Sequence, residues 1–369
     1  MKILLTGAHF TTAVATAQEL QKYTGVELIY VGRTTTMEGD KTKSAESQIL
    51  PKLGIKFIPI ITGRLQRSFT PYTIPSLLKI PVGFIQAFII LLQEKPNVVV
   101  SFGGYVALPS VICAWLLSIP ILIHEQTLVT GLANKISSLF ADKIAVSFKQ
   151  NLKPSKKYIL TGNPIRQIFK ENNQKNIGSE YKNFFNFAKK NHLPVVVVTG
   201  GNQGSHLVNQ LVEERLISLL KICCIIHQTG DSKYQDFEKL SKPSVPGYLV
   251  KKFVNEEMGV VFRFADLVVT RAGINTLLEL AYLGKPAITI PIPYLYQDEQ
   301  TKNALVFQKL GLTQIIWQKD ASGEALEKTI KKSLKNLSHL TKSALSAKQV
   351  VIEDGEKRLA LEIILLARL

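Results

Sequence analysis

The residues best suited to chemistry lie in three loops in the second half of the chain, each following a short apolar run. The first is Pro194-Val-Val-Val-Val-Thr-Gly-Gly-Asn-Gln-Gly-Ser205. Its valines read as a strand buried on both faces, and the glycine-rich turn after it opens a helix. Such a turn exposes backbone N–H groups at a helix N-terminus, where partial positive charge favours a phosphate. Gly200, Gly201 and Gly204 let that backbone approach closely, and Asn202 and Ser205 offer side-chain hydrogen bonds. The bland reading is a tight connection that holds nothing.

The second loop, Arg271-Ala-Gly-Ile-Asn-Thr-Leu-Leu-Glu279, again opens a helix on a glycine, Gly273. Glu279 falls on the apolar part of that helix, where a carboxylate is better explained by a ribose whose two vicinal hydroxyls donate to it. The third loop, Pro291-Ile-Pro-Tyr-Leu-Tyr-Gln-Asp-Glu-Gln-Thr-Lys-Asn303, is proline-rich and ends in polar residues at a helix start. Three such loops at successive strand ends converge on one crevice in a doubly wound sheet.

A sheet of that kind is what the rest of the chain spells out. Short β-branched runs separated by helical stretches occur at Lys2 to Thr6, Val26 to Val31, Lys56 to Ile61, Val98 to Ser101, Ile121 to His124 and Lys143 to Val146. After a polar, basic stretch a second series follows: Pro194 to Thr199, Ile222 to Gln228, Gly247 to Phe253, Leu267 to Thr270, Ala287 to Pro291 and Gln314 to Trp317. The expectation is two α/β domains in tandem, each a doubly wound parallel sheet, with the boundary near Gly162 to Arg166. Beyond about Thr341 the pattern is helical, and Leu359, Leu361, Ile363, Ile364, Leu365 and Leu366 form an apolar stripe that must pack on something.

A chain of 369 residues suits two such cores. Its formal charge of +17 predicts attraction to polyanions: nucleic acid, anionic lipid or phosphate-bearing substrates. No nucleic-acid reading motif is present, so nucleic acid is not the expected partner. Cys113, Cys223 and Cys224 sit in apolar runs without metal-ligand spacing, as buried thiols in a reducing compartment would. The apolar start Met1-Lys-Ile-Leu-Leu5 is too short for a signal peptide, and a cytoplasmic chain is expected. The segment from Ile74 to Leu92 is interrupted by Lys79, Pro81 and Gln86, which argues against a spanning helix. No acidic residue occurs between Glu46 and Glu94, while Lys52, Lys56, Arg64, Arg67 and Lys79 accompany the apolar face. That composition fits either an interfacial helix on anionic lipid or a core helix behind a basic loop.

The chain resembles the MurG-type transferases, which attach N-acetylglucosamine from UDP to the undecaprenyl-pyrophosphoryl-N-acetylmuramyl-pentapeptide lipid (lipid I to lipid II) of peptidoglycan synthesis. The matching stretches, in the family's order, are Ser101-Phe-Gly-Gly-Tyr-Val106, Ile123-His-Glu-Gln126, Gly162-Asn-Pro-Ile-Arg166, Gly200-Gly-Asn-Gln-Gly204, Arg271 to Glu279 and Gln300-Thr-Lys-Asn303. The resemblance implies a GT-B architecture, two Rossmann-like domains facing a cleft. Residues 1–163 would form the acceptor and membrane-binding domain, 164–341 the UDP-sugar domain, and 342–369 a helix returning to the first. It implies an inverting, metal-independent transfer without a cofactor, on the cytoplasmic face of the membrane as a peripheral protein. It also implies site roles: Arg166 and Asn202 on UDP, Val254 against uracil through its backbone, Ile274, Asn275 and Thr276 at the phosphates, Glu279 on the ribose, and Glu299 with Gln300 on the sugar hydroxyls.

Two first-half loops depart from the family pattern. Where the family has a Gly-Gly-Thr-Gly-Gly-His run that helps hold the acceptor pyrophosphate, this chain has Leu4-Leu-Thr-Gly-Ala-His9, keeping Thr6, Gly7 and His9. His9 is the candidate base for the acceptor hydroxyl, since imidazole titrates near neutrality; the competing reading is a structural histidine. In the His-Glu-Gln-Asn loop Thr127 occupies the asparagine place, a position that resembles a donor-sugar contact. Glu125 is either an acceptor-side catalytic group or, with His124, a buried pair fixing the loop. Alternatives to the leading function are another UDP-sugar lipid glycosyltransferase, such as a diacylglycerol type, and a non-catalytic membrane-bound UDP-sugar-binding partner. A nicotinamide dehydrogenase is disfavoured, because Thr6-Gly-Ala-His9 lacks the three-glycine fingerprint.

Overall fold

The valine and isoleucine runs form parallel strands because their side chains are buried on both faces of a sheet, where β-branched residues fit best. The computed structural model describes residues 1–35, 44–63, 73–171, 177–201, 204–231, 234–242 and 244–368. It divides into two compact units: Met1–Arg166 with Ile352–Leu369, and Gln167–Val351.

The first unit runs β1 (Lys2–Thr6), α1 (Phe10–Leu20), β2 (Glu27–Gly32), α2 (Ala45–Ile49), β3 (Lys56–Pro59) and α3 (Thr73–Glu94). It continues with β4 (Val98–Ser101), α4 (Ala107–Leu116), β5 (Ile121–Glu125), α5 (Leu132–Ser137), β6 (Lys143–Val146) and β7 (Tyr158–Leu160). Among the described residues these make a parallel sheet in the order β3-β2-β1-β4-β5-β6-β7. The register sets Thr6 beside both Val31 and Ser101, so the loops after β1, β2 and β4 leave from one edge. One sheet face is covered by α1, with Phe10, Ala13 and Ala17, and the other by α3 and α4, with Ala87, Leu91, Val111 and Ala114.

The second unit begins with α6 (Gln167–Lys170), α7 (Ser179–Lys190), β8 (Val195–Thr199), α8 (His206–Glu213), α9 (Leu216–Leu219) and β9 (Cys224–Gln228). Then come α10 (Asp236–Leu240), β10 (Tyr248–Lys251), α11 (Met258–Phe264), β11 (Leu267–Thr270), α12 (Ile274–Leu283) and β12 (Ala287–Thr289). It closes with α13 (Glu299–Lys309), β13 (Thr313–Ile315), α14 (Gly323–Lys335) and α15 (Leu337–Leu345). The order is β10-β9-β8-β11-β12-β13, all parallel. Thr199 pairs with Gln228 on one side and Thr270 on the other, which brings the glycine-rich turns to one edge.

The chain re-enters the first unit through α16 (Gly355–Leu366), which packs on α1. Leu359, Ala360, Ile363, Ile364 and Leu366 are buried there, whereas Leu361 and Leu365 face outward, as a 3.6-residue period requires. The return lies at Ile352 rather than at residue 342, because α15 still belongs to the second unit: Leu345 abuts Gly284 and Ser343 abuts Gly311. A side chain at Gly162 would strike Ile352 at 2.5 Å, so this glycine leaves room for the returning segment.

Three local expectations change. β7 is an added edge strand whose three half-buried residues gave no run to detect. The last strand is Thr313–Ile315, not Gln314 to Trp317. A helix, α3, runs through Lys79, Pro81 and Gln86 as expected, but, although these residues were expected to leave too short an apolar run, it is by length and composition apolar enough to cross a membrane. Pro81 is exposed. Arg64 and Arg67 lie outside the described residues. The three cysteines are buried and free.

Candidate functional site

At the C-terminal edge of the second unit's sheet, hydrogen bonds between side chains and backbone tie the three glycine and proline loops to their neighbours. Gln228, at the end of β9, makes the first tie. Its Nε2 donates to Thr199 Oγ1 and to the Gly201 carbonyl, both at 3.1 Å, and its Oε1 accepts the Val254 amide at 2.8 Å. The amide of Val254 is therefore spent inside the protein, and only its carbonyl is left to meet a pyrimidine edge. Arg271 makes the second tie: Nε donates to Ser205 Oγ at 2.9 Å, and Nη1 to the Ile290 carbonyl at 2.9 Å and Gln318 Oε1 at 3.0 Å. Asn303 Nδ2 donates to the Ala272 carbonyl at 3.1 Å, and Gln300 Oε1 accepts the Ile292 amide at 3.0 Å.

Gly200 and Gly204 are required by space. A Cβ on Gly200 would come within 2.2 Å of Ser205 N, and one on Gly204, whose φ is +72°, within 2.2 Å of the Thr229 carbonyl. That carbonyl is held by Asn209 Nδ2 at 3.0 Å, within a buried network that also joins Asp236, His227 and Tyr248. Gly201 and Gly273 differ: a Cβ on either would meet nothing within 4 Å, so both flank open space. Asn202 lies outside the described residues. Gly273 caps α12; Ile274 is buried, Asn275 and Thr276 half-buried, and Glu279 buried on the same helix. Glu299 and Gln300 open α13, both half-buried. Thus Gly200, Gly201, Gly204, Val254, Gly273 to Thr276, Glu299 and Gln300 share one sheet edge. Arg166 is the last residue of the first unit, outside that group.

The first unit holds the other candidates at the ends of β1 and β5. Gly7 has φ +140°, and a Cβ there would press to 2.8 Å on the Phe102 backbone. His9 caps α1 without a side-chain capping bond. Desolvation, and then the nearby His124, push its imidazole down to about 4, so it is the free base at neutral pH. His124 is fully buried; its Nε2 lies 3.2 Å from the Gly162 carbonyl and 3.3 Å from Ser147 Oγ, and burial lowers it to about 4 as well.

Glu125 and Thr127 are turned into the protein. Glu125 Oε1 accepts the Thr127 amide at 3.0 Å and lies 2.6 Å from its hydroxyl, while Oε2 accepts Asn134 Nδ2 at 3.0 Å. Burial raises the carboxyl. The Thr127 hydroxyl is also 2.6 Å from the Val129 carbonyl, and its single proton serves this loop. This geometry shows Glu125 fixing the loop, and the one proton of the Thr127 hydroxyl is committed within it. His124 and Gln126 interact through their side chains, while among the described residues Thr6 Oγ1 and Asn134 Oδ1 are buried without a partner. Native proteins rarely leave such groups unsatisfied.

Sequence reasoning quoted Arg271 only as part of a motif and passed over Gln228. Neither carried a local signal, since their partners lie up to 66 residues away.

Known proteins match this architecture. Residues 6–146 match the glycosyltransferase family 28 N-terminal domain and residues 195–359 the glycosyltransferase family 28 C-terminal domain. A protein of Clostridium botulinum, named UDP-N-acetylglucosamine–N-acetylmuramyl-(pentapeptide) pyrophosphoryl-undecaprenol N-acetylglucosamine transferase, is 34% identical over 336 residues, 89% of this chain and 90% of its own. Its namesake from Clostridium kluyveri is 34% identical over 356 residues, covering 94% and 96%. Among solved structures, Acinetobacter baumannii MurG superposes with a TM-score of 0.67 at 24% identity, over 98% of this chain and 99% of that one. The calicheamicin glycosyltransferase CalG4 gives 0.67 at 11% identity, over 99% and 98%. These structures share the fold, that of GT-B glycosyltransferases.

Proposed function

The chain belongs to glycosyltransferase family 28, and from that premise we propose that it transfers N-acetylglucosamine from UDP-N-acetylglucosamine to N-acetylmuramyl-(pentapeptide) pyrophosphoryl-undecaprenol, the reaction for which its Clostridium relatives are named. The observation that carries this reading is the tied edge of the second unit. There the open spaces beside Gly201 and Gly273 adjoin the N-termini of α8 and α12. Helix N-termini favour the diphosphate of UDP and the charge it gains on leaving. Glu279 takes the ribose hydroxyls, Arg166 and Asn202 contact UDP, and the Val254 carbonyl accepts from the uracil N–H. Glu299 and Gln300 take the sugar hydroxyls.

The acceptor is held by the first unit. Its hydroxyl oxygen attacks the anomeric carbon as the bond from that carbon to the UDP oxygen breaks, and the hydroxyl proton passes to His9, which is neutral and able to receive it. Gly7 keeps the loop clear for the acceptor pyrophosphate. A lipid acceptor places the enzyme at the cytoplasmic membrane surface as a peripheral protein, and α3 supplies the contact. Its Ala87 and Leu91 face is in the core, while Leu78 (70% exposed) and Ile85 (61%) project outward. α4 packs beside it with Trp115 and Leu116 exposed. A helix committed on one face to the unit's core is suited to lie in the interface.

The test is UDP release from UDP-N-acetylglucosamine, UDP-glucose and UDP-galactose with a lipid pyrophosphate acceptor. Acceptor-dependent release with the first donor is expected. UDP binding with no turnover on any acceptor overturns the reading.

A further inference from the structure

In the first strand-to-helix turn of the first unit one backbone donor is already spent. The amide of Ala8 donates to the Gly103 carbonyl at 2.8 Å, and Ala8 presses on Gly104, where an added Cβ would approach it to 2.5 Å. A cation stands beside this turn instead. Arg33 follows Gly32 at the end of β2, the strand paired with β1. Its Nη1 donates to the Tyr105 hydroxyl at 2.7 Å, and the guanidinium carbon lies 5.3 Å from the Tyr105 ring centre. Tyr105 directly follows Gly103 and Gly104, the residues that meet Gly7 and Ala8. Tyr30, which senses the charge of Arg33, donates from its hydroxyl to the Gly7 carbonyl at 2.8 Å.

The guanidinium is poorly compensated. Among the described residues its Nε is buried with no hydrogen-bond partner, and Thr6 Oγ1, at the base of the same turn, is likewise buried and unpartnered. Among the described residues Glu46 is a carboxylate that feels Arg33, and burial raises its carboxyl. An arginine whose fork is only partly used, on an aromatic ring and beside a glycine turn, matches the geometry of a phosphoryl oxygen.

We propose that Arg33 is a further acceptor-binding residue, which grips a phosphate oxygen of the acceptor's pyrophosphoryl group. This rests on the proposed function, since it assigns a residue to the acceptor of that reaction. A membrane phospholipid offers the same chemistry, so the test must separate the two.

Transfer kinetics are measured in detergent for the native protein and for Arg33→Gln and Arg33→Lys. Loss of one charge-assisted contact is expected to raise the acceptor KM of Arg33→Gln by about tenfold to a hundredfold. The lysine variant should fall between, with the KM for UDP-N-acetylglucosamine and the Tm unchanged. With UDP saturating the donor side, inorganic pyrophosphate should bind the native protein and bind Arg33→Gln at least about tenfold more weakly. Sedimentation with phosphatidylglycerol vesicles should be the same for both. The proposal is overturned by an unchanged acceptor KM, by a matching rise in the donor KM, or by lost vesicle binding as the sole defect. If the native protein does not turn over, the proposed function fails, while the pyrophosphate measurement still decides whether Arg33 binds that anion. If Arg33→Gln does not fold, Arg33→Lys carries the same comparison.

Discussion

The two units share a strand order around their first strands, yet their first turns are built in different ways. After β8 the turn is glycine at each close approach: Gly200 abuts Ser205, Gly204 abuts the Thr229 carbonyl, and Gln228 fastens Gly201 to Val254. After β1 a single glycine, Gly7, stands beside Ala8, the Ala8 amide is spent on Gly103, and among the described residues buried polar atoms of Thr6 and Asn134 have no partners. Among the described residues the turn after β8 has its polar groups tied to their neighbours, although Thr270 Oγ1 and Asn303 Oδ1 on the same sheet edge are, like Thr6 Oγ1 in the first unit, buried without a partner.

The comparison breaks most sharply at His9. His9→Ala should lower kcat by about 100- to 10,000-fold, the range for a lost general base, while UDP affinity by calorimetry stays unchanged. Unaltered kcat would return His9 to a structural role. Gly200→Ala should do the opposite: with a Cβ 2.2 Å from Ser205 N, donor affinity should fall on the order of a hundredfold, and stability by about 3 kcal/mol. Acceptor KM in whatever protein survives should not move.

Acid should weaken both units alike. Burial holds the His124 imidazole down to about 4 in the folded state, below its ordinary value of 6.5. Between those values the unfolded chain binds the extra proton, so this contribution is complete above the unfolded value and is lost as pH falls toward the folded one. The loss should be about 2 kcal/mol for this group between pH 7 and pH 5, read by urea denaturation. His227, lowered to about 3 by burial in the second unit, adds a loss of the same sign. His124→Asn should flatten the slope. The smallest effect belongs to Gln228→Met, which frees the Val254 amide and the Gly201 carbonyl. It should raise the donor KM roughly tenfold and leave kcat within about twofold, and an unchanged donor KM would show that the loops hold their places without it.

Much of this was legible in the chain. Val195 to Val198 could only be a doubly buried strand, and Gly200 and Gly204 could only mark a tight turn, because both signals are local. The apolar stripe near the C-terminus announced a packed helix, although which of its residues point inward required the helical phase set by α1. α3 was legible as a helix, but its overall hydropathy was underrated because Lys79, Pro81 and Gln86 were counted as breaks in the apolar run; Pro81 sits on the exposed side of a helix whose core face is anchored by Ala87 and Leu91.

What the sequence determined by itself was the pair of parallel sheets, the order of the glycine loops and the family resemblance, all carried by residues close together in the chain. What only the tertiary structure decided was which groups remain available for chemistry. Thr127 and Glu125 occupy motif positions but satisfy each other, Val254 gives its amide to a glutamine 26 residues away, and Arg33 meets Tyr105 across 72 residues. Hydrogen bonds across such distances leave no periodic trace in the chain, because folding alone brings their partners together.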